Sequence, residues 1–154
     1  MILVTLGTQK QQFTRLLDYI ENSKIKDEII VQAGHTKYES KKMQIFDFIG
    51  YDKMSELVDK ADLIITHAGT GSITGPLKKG KLVIACPRLA KYGEHVDDHQ
   101  EQITQAFYDA KYILMLDEET SLDDVLKKAK TFKVKKFVSN TDNFIKKLKA
   151  EIDK

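Results

Sequence analysis

The chain has 154 residues, 42% hydrophobic and 31% charged, with two prolines and eight glycines; this excludes a disordered chain and fits one globular domain that buries its own core. The single Cys86 allows no internal disulfide and no cysteine metal cage, and no apolar run approaches the roughly 20 residues of a membrane span. The net charge of +2 conceals an asymmetry: residues 127–154 carry +7 and residues 1–126 carry −5, so the basic end is a candidate contact surface for a partner or a membrane.

In chain order, Met1 leads directly into the apolar run Ile2–Leu6 without a basic leader, which predicts a cytoplasmic protein. Further strand-length runs follow at Ile29–Ala33, Ile45–Ile49, Leu63–Thr66, Leu82–Cys86 and Tyr112–Leu116. Between them, helical stripes recur at Phe13/Leu16/Leu17/Ile20, Met54/Leu57/Val58/Ala61, Ile103/Ala106/Phe107/Ala110 and Leu122/Val125/Leu126/Ala129. Ser121 with Asp124 three residues on reads as the N-cap of the last of these. A final basic amphipathic helix is predicted at about 140–153, with Phe144, Ile145, Leu148 and Ile152 on its apolar side. Strand then helix, repeated without tight hairpin signals, predicts an α/β fold: a Rossmann-like three-layer parallel sheet with helices on both faces, forming a single domain over 1–154. Ligands of such sheets sit at the carboxyl ends of the strands, which directs attention to the loops beginning at Gly7, Gly34, Thr66 and Pro87.

The most informative of these is Thr66-His67-Ala68-Gly69-Thr70-Gly71-Ser72-Ile73, a buried strand entering a helix through a glycine-rich turn. Small residues let a phosphate approach the backbone, and the free amides of the first helical turn attract an anion. Thr70, Ser72 and His67 add side-chain donors, so a diphosphate suits the turn. A dinucleotide fingerprint is disfavoured: the glycines fall at 69, 71 and 75, and the next strand ends in Cys86-Pro87 instead of an acid. Gly75 to Leu82 resembles a P-loop only superficially, since Leu82 replaces the magnesium-binding hydroxyl and the segment precedes a strand. His95 and His99 stand four apart, but without a third histidine or a glutamate base no metal is expected.

These residues, with Gly80-Lys81, Pro87 and Asp98-His99-Gln100, resemble the donor-binding C-terminal half of family 28-type GT-B glycosyltransferases, the family that makes lipid-linked peptidoglycan precursor. Its single-domain members include the cytosolic subunit of the dolichol-linked N-acetylglucosaminyltransferase and the PssE-like subunits of exopolysaccharide and capsule galactosyltransferases. The opening Val4-Thr5-Leu6-Gly7-Thr8 and the run Pro87-Arg88 to Gln100 are similar to the polysaccharide subunits in particular. The resemblance implies that His67, Gly69, Thr70, Gly71 and Ser72 hold the diphosphate of a UDP-sugar. It also implies that Gln100 meets sugar hydroxyls with Asp98 and His99 beside it, and that Gly7 and Thr8 face the acceptor side.

The implied reaction is metal-independent and inverting: an acceptor hydroxyl attacks the anomeric carbon and UDP leaves. No cofactor and no nucleic-acid partner are expected. The donor sugar expected from the resemblance is galactose, the acceptor a polyprenyl-diphosphate-linked saccharide, and the acceptor site belongs to a membrane-anchored partner at the inner face of the membrane. The general base lies either on that partner or on this chain, where His95 and Glu94 are the candidates. One departure stands out: Gly75, followed by Pro76, occupies the place where relatives carry a ribose-binding carboxylate. It favours an alternative reading as a non-catalytic UDP-sugar-binding or regulatory module.

Overall fold

The computed structural model describes residues 1–137 together with Lys146, so the basic helix expected at about 140–153 lies, but for that one residue, outside the described residues. The chain runs β1 (Ile2–Thr5), α1 (Thr14–Glu21), β2 (Ile29–Gln32), β3 (Gln44–Phe46), α2 (Tyr51–Lys60), β4 (Leu63–His67), α3 (Thr70–Lys78), β5 (Val83–Cys86), a 3-10 turn (Ala90–Tyr92), α4 (His99–Asp109), β6 (Leu114–Met115) and α5 (Leu122–Ala129). The six described strands pair in parallel in the order β3-β2-β1-β4-β5-β6. Val4 of β1 stands between Val31 of β2 and Ile65 of β4, so the sheet grows outward in both directions from β1. The gap between the ends of β1 and β4 is therefore the switch point at which such sheets bind ligands.

Both faces of the sheet are covered, which is why its strands are continuous apolar runs and not alternating ones. On one face Val4, Val31, Ile65 and Ile84 pack under Leu16, Leu17 and Ile20 of α1 and Leu122 and Val125 of α5. On the other, Leu3, Ile64, Val83 and Ala85 pack under Leu57 and Val58 of α2, Ile73 and Leu77 of α3 and Phe107 of α4. Ser121 caps α5 as its sequence predicts, its Oγ accepting the Asp124 N–H at 3.1 Å. Beyond α5 the chain crosses between layers, with Phe132 packed against the first core and Phe137 against the second.

The connection from β2 to β3 carries no helix, and the sequence shows no helical stripe there: Thr36 accepts the Phe13 N–H at 3.0 Å and Met43 enters the core, so the loop itself covers that part of the sheet. Two local expectations are revised. The strand expected over Ile45–Ile49 is shifted to Gln44–Phe46, and Phe48 and Ile49 leave the sheet to wall a cleft. Of the Tyr112–Leu116 run, Leu114 and Met115 stand in register with β5, and Leu116 donates its N–H to the Ala85 carbonyl at 2.9 Å, so the pairing takes in the end of the run and not its start.

Candidate functional site

At the switch point the His67 ring lies so close to two backbone positions that only glycine fits at either. Gly7, at the end of β1, has φ +77°, and a Cβ there would lie 2.4 Å from His67 Nε2; a Cβ on Gly69 would lie 2.7 Å from the His67 ring. The imidazole is thus held between two glycines from different strand ends. Gln32, the last residue of β2, extends the sheet beyond its backbone: its Oε1 accepts the Gly7 N–H at 3.1 Å and its Nε2 donates to the Gly7 carbonyl at 3.0 Å. Beneath them Thr5 donates to Thr66 Oγ1 at 2.6 Å, and Thr66 to the His67 carbonyl at 2.9 Å.

His67 is buried. Its Nε2 lies 3.0 Å from Ser72 Oγ, in the first turn of α3, and its Nδ1 3.1 Å from Gln100 Nε2. Burial, reinforced by the charge of Arg88, pushes its pKa down to about 3, so the ring is neutral at physiological pH. In the unfolded chain the same ring takes up a proton near pH 6.5, so the unfolded state binds more protons between those two values and stability falls as pH drops through that window. The expected contribution has a limiting slope of about 1.4 kcal/mol per pH unit. Urea unfolding at pH 6.5, 5.5 and 4.5 checks this: the slope should be shallower in His67→Gln than in the wild type, and parallel curves would show that His67 is not held neutral.

The loop from Pro87 to about Asp97, one of those the sequence singles out, is built around two arginines, the partly buried Arg15 and the fully buried Arg88. Arg15 of α1 donates from Nε and Nη2 to both carboxylate oxygens of Glu94 at 3.0 and 2.9 Å, and stacks on Tyr92, Tyr19 and Phe13. Glu94 Oε1 also accepts the Leu89 N–H at 3.0 Å. The fully buried Arg88 donates to the carbonyls of Leu6, Gln11 and Glu94. Glu94, expected as a base candidate, is only 3% exposed and has both oxygens engaged, so its geometry is that of a loop anchor. His95 is partly buried, with Nδ1 3.2 Å from Asp97 Oδ1; the exposed His99 faces the other oxygen of the same carboxylate at 3.4 Å. The two histidines do not share a helix, since α4 begins at His99. Asp98 accepts the Ala90 N–H at 2.9 Å. Gln100, expected to meet sugar hydroxyls, is 4% exposed and turned inward to His67.

A cleft of about 400 Å³ opens from this point between α2 and α3. Gly7, Thr8, Gly71 and Ser72 line its end at the switch point; Phe48, Ile49, Met54 and Pro76 give it flat apolar walls, and Gly75 leaves its α3 wall open. Lys79 ties the two helices together across its side, bonded to Ser55 Oγ at 2.7 Å and Asp59 at 2.9 Å. Gly69 and Thr70 stand at the entry of α3, beside the cleft lining. The structure therefore brings Gly7, Thr8, His67, Gly69, Thr70, Gly71 and Ser72 together, with Gln100 behind them, and sets Glu94, His95 and Asp98 on the neighbouring loop and His99 at the start of α4. Missed from the sequence were Gln32, Arg15, Arg88 and the cleft walls. The arginines meet partners up to 82 residues away, a separation no local spacing reveals.

The model of the glycosyltransferase family 28 C-terminal domain matches residues 1–154. The chain belongs to this family. The yeast UDP-N-acetylglucosamine transferase subunit ALG13 (Saccharomyces cerevisiae) is 35% identical over 106 residues, covering 67% of this chain and 50% of that protein. The protein of the same name from Candida glabrata is 27% identical over 129 residues, covering 82% and 62%. This family member thus spans about half the length of the first of these relatives. An NMR solution structure of ALG13 superposes with a TM-score of 0.64 at 25% identity, covering 96% of this chain and 94% of that one. The crystal structure of the glycotransferase of kitacinnamycin superposes at 0.55 and 15% identity, covering 84% and 34%, which shows the shared fold. The domain has the architecture of a GT-B C-terminal half, and the switch-point cleft lies where that architecture places its ligand. No helix among the described residues is long and apolar enough to cross a membrane.

Proposed function

We propose that this family 28 domain is the donor-binding subunit of a glycosyltransferase that uses a UDP-sugar. The observation that carries the reading is the two-sided character of one cleft. At the switch point it offers the α3 amides and the Ser72 hydroxyl to an anion; between α2 and α3 it offers the flat apolar walls of Phe48, Ile49 and Pro76 to a nucleobase. A nucleoside diphosphate matches both ends. Charge developing on the leaving diphosphate is stabilised by amides that are already oriented, so the residues present suffice for that task. The acceptor hydroxyl attacks the anomeric carbon, the bond to the diphosphate oxygen breaks with its electron pair, and inversion follows from attack opposite the leaving group.

Proton removal falls to His95 or to a group on an acceptor-binding subunit, since Glu94 has no free oxygen. Gly75 leaves the ribose without a carboxylate from α3, and the open wall there supports the alternative of a module that binds a UDP-sugar without transferring it. The relatives' names carry N-acetylglucosamine, which gives no support to the galactose and exopolysaccharide expectations; N-acetylglucosamine is the donor sugar we favour. Their designation as subunits supports a partner; in our proposal that partner supplies the acceptor, a lipid-linked saccharide, and brings the domain to the inner face of a membrane.

Calorimetry against UDP, UDP-N-acetylglucosamine, UDP-galactose and NADH tests the donor site. Binding of UDP and of the N-acetylglucosamine donor is expected, with UDP-galactose weaker. NADH binding without UDP binding would overturn the transferase reading.

A further inference from the structure

Gln100 occupies the second position of α4 and is 4% exposed. Its Oε1 lies 3.1 Å from two backbone nitrogens, those of Ala68 and Arg88. Both carry hydrogens, so this end of the amide is an acceptor; the flipped amide would set an NH2 group against two buried N–H groups and lose both bonds. The amide nitrogen is consequently the end facing His67 Nδ1, at 3.1 Å. An amide NH2 cannot accept a hydrogen bond, so Nδ1 is unprotonated and the ring hydrogen sits on Nε2. Nε2 in turn lies 3.0 Å from Ser72 Oγ and donates to it. A hydroxyl that already accepts from behind has its own hydrogen free to point forward, and Ser72 lines the cleft.

We propose that Gln100 is a positioning residue: its amide fixes His67 as the Nε2–H tautomer, and His67 thereby turns the Ser72 hydroxyl into a donor aimed at the diphosphate. The role in binding rests on the cleft being a UDP-sugar site; the tautomer assignment does not. With Nδ1 occupied and Nε2 protonated, the resting His67 has no free lone pair, so it orients the donor and does not act as the general base. The relay also accounts for a buried glutamine at a position expected to meet sugar: two backbone amides from the β4 and β5 loops aim it at the imidazole.

The decisive variant is Gln100→Glu, which keeps an oxygen for Ala68 and Arg88 but presents a second oxygen to Nδ1, where only an acceptor is available. Long-range proton–nitrogen correlation on the nitrogen-15-labelled full chain at pH 7.5 reads the tautomer directly, with His67 assigned by its absence in His67→Gln. The wild type should show hydrogen on Nε2 alone, and Gln100→Glu hydrogen on Nδ1. UDP affinity should fall about tenfold in Gln100→Glu, and similarly in Ser72→Ala with the His67 tautomer unchanged. A wild-type ring protonated on Nδ1, or charged at pH 7.5, would overturn the assignment even if Gln100→Glu failed to fold. A Gln100→Glu protein with hydrogen on Nδ1 and full UDP affinity would overturn the positioning role. A wild type with the assigned tautomer but no UDP binding would instead refute the donor-site reading and leave the assignment standing.

Discussion

Gly7→Ala is expected to weaken UDP binding by tenfold or more while leaving the protein folded. The new methyl would stand 2.4 Å from His67 Nε2, on a backbone with φ +77° that alanine adopts at a cost of about 1–2 kcal/mol. The imidazole cannot retreat, because Gly69 closes its other side and Gln100 and Ser72 hold its two nitrogens. Either the ring or the Gly7 loop must move, and overpacking of this kind costs about 1–3 kcal/mol. Most of that strain falls on the ligand end of the sheet, not on its core, so the loss should appear chiefly in affinity. Calorimetry with UDP, alongside urea unfolding, separates the two: unchanged affinity in a folded Gly7→Ala protein would show that the diphosphate does not lie against this loop.

Arg88→Ala should cost roughly 3–6 kcal/mol of folding stability, about 1–3 for each of the two buried carbonyls that lose a donor and less for the partly buried third. Those carbonyls, of Leu6, Gln11 and Glu94, belong to the end of β1, the loop leading to α1 and the loop after β5, so one guanidinium ties three segments together. Its charge is an expense the site carries: burial draws the Arg88 pKa down to about 10, and Phe13, 4.9 Å away, supplies a face that tolerates a cation. Arg88→Met fills most of the volume but restores none of the three bonds. Urea denaturation should therefore show both variants strongly destabilised, with methionine recovering only the smaller, cavity part of the loss. If methionine matched the wild type, the carbonyl bonds would not be what holds the loops.

Much of the fold follows from short-range pattern. Continuous apolar runs such as Leu63–Thr66 imply strands buried on both faces, and stripes such as Leu122/Val125/Leu126/Ala129 imply helices that cover them. Ser121 and Asp124 mark a helix start because a cap is a contact within four residues, and it is found as read. The glycine-rich turn at Gly69 to Ser72 was legible for the same reason: strand, turn and helix adjoin in the chain, and the anion-accepting end is a property of that junction alone.

What tertiary structure decided is which side chains turn toward the cleft and which turn away from it. Gln100 and Glu94 are polar residues in a loop-and-helix segment, where exposure to a substrate is the natural expectation from sequence. In the folded protein each is consumed by partners distant in the chain, Gln100 by His67 and Ala68 and Glu94 by Arg15. The cleft walls were hidden likewise, since Phe48 and Ile49 continue an apolar run and leave the sheet only because β3 ends at Phe46. Periodicity and turn chemistry are local and can be read along the chain. Hydrogen-bond direction at a buried amide is set by every neighbour at once, and those neighbours exist only after the strands have paired.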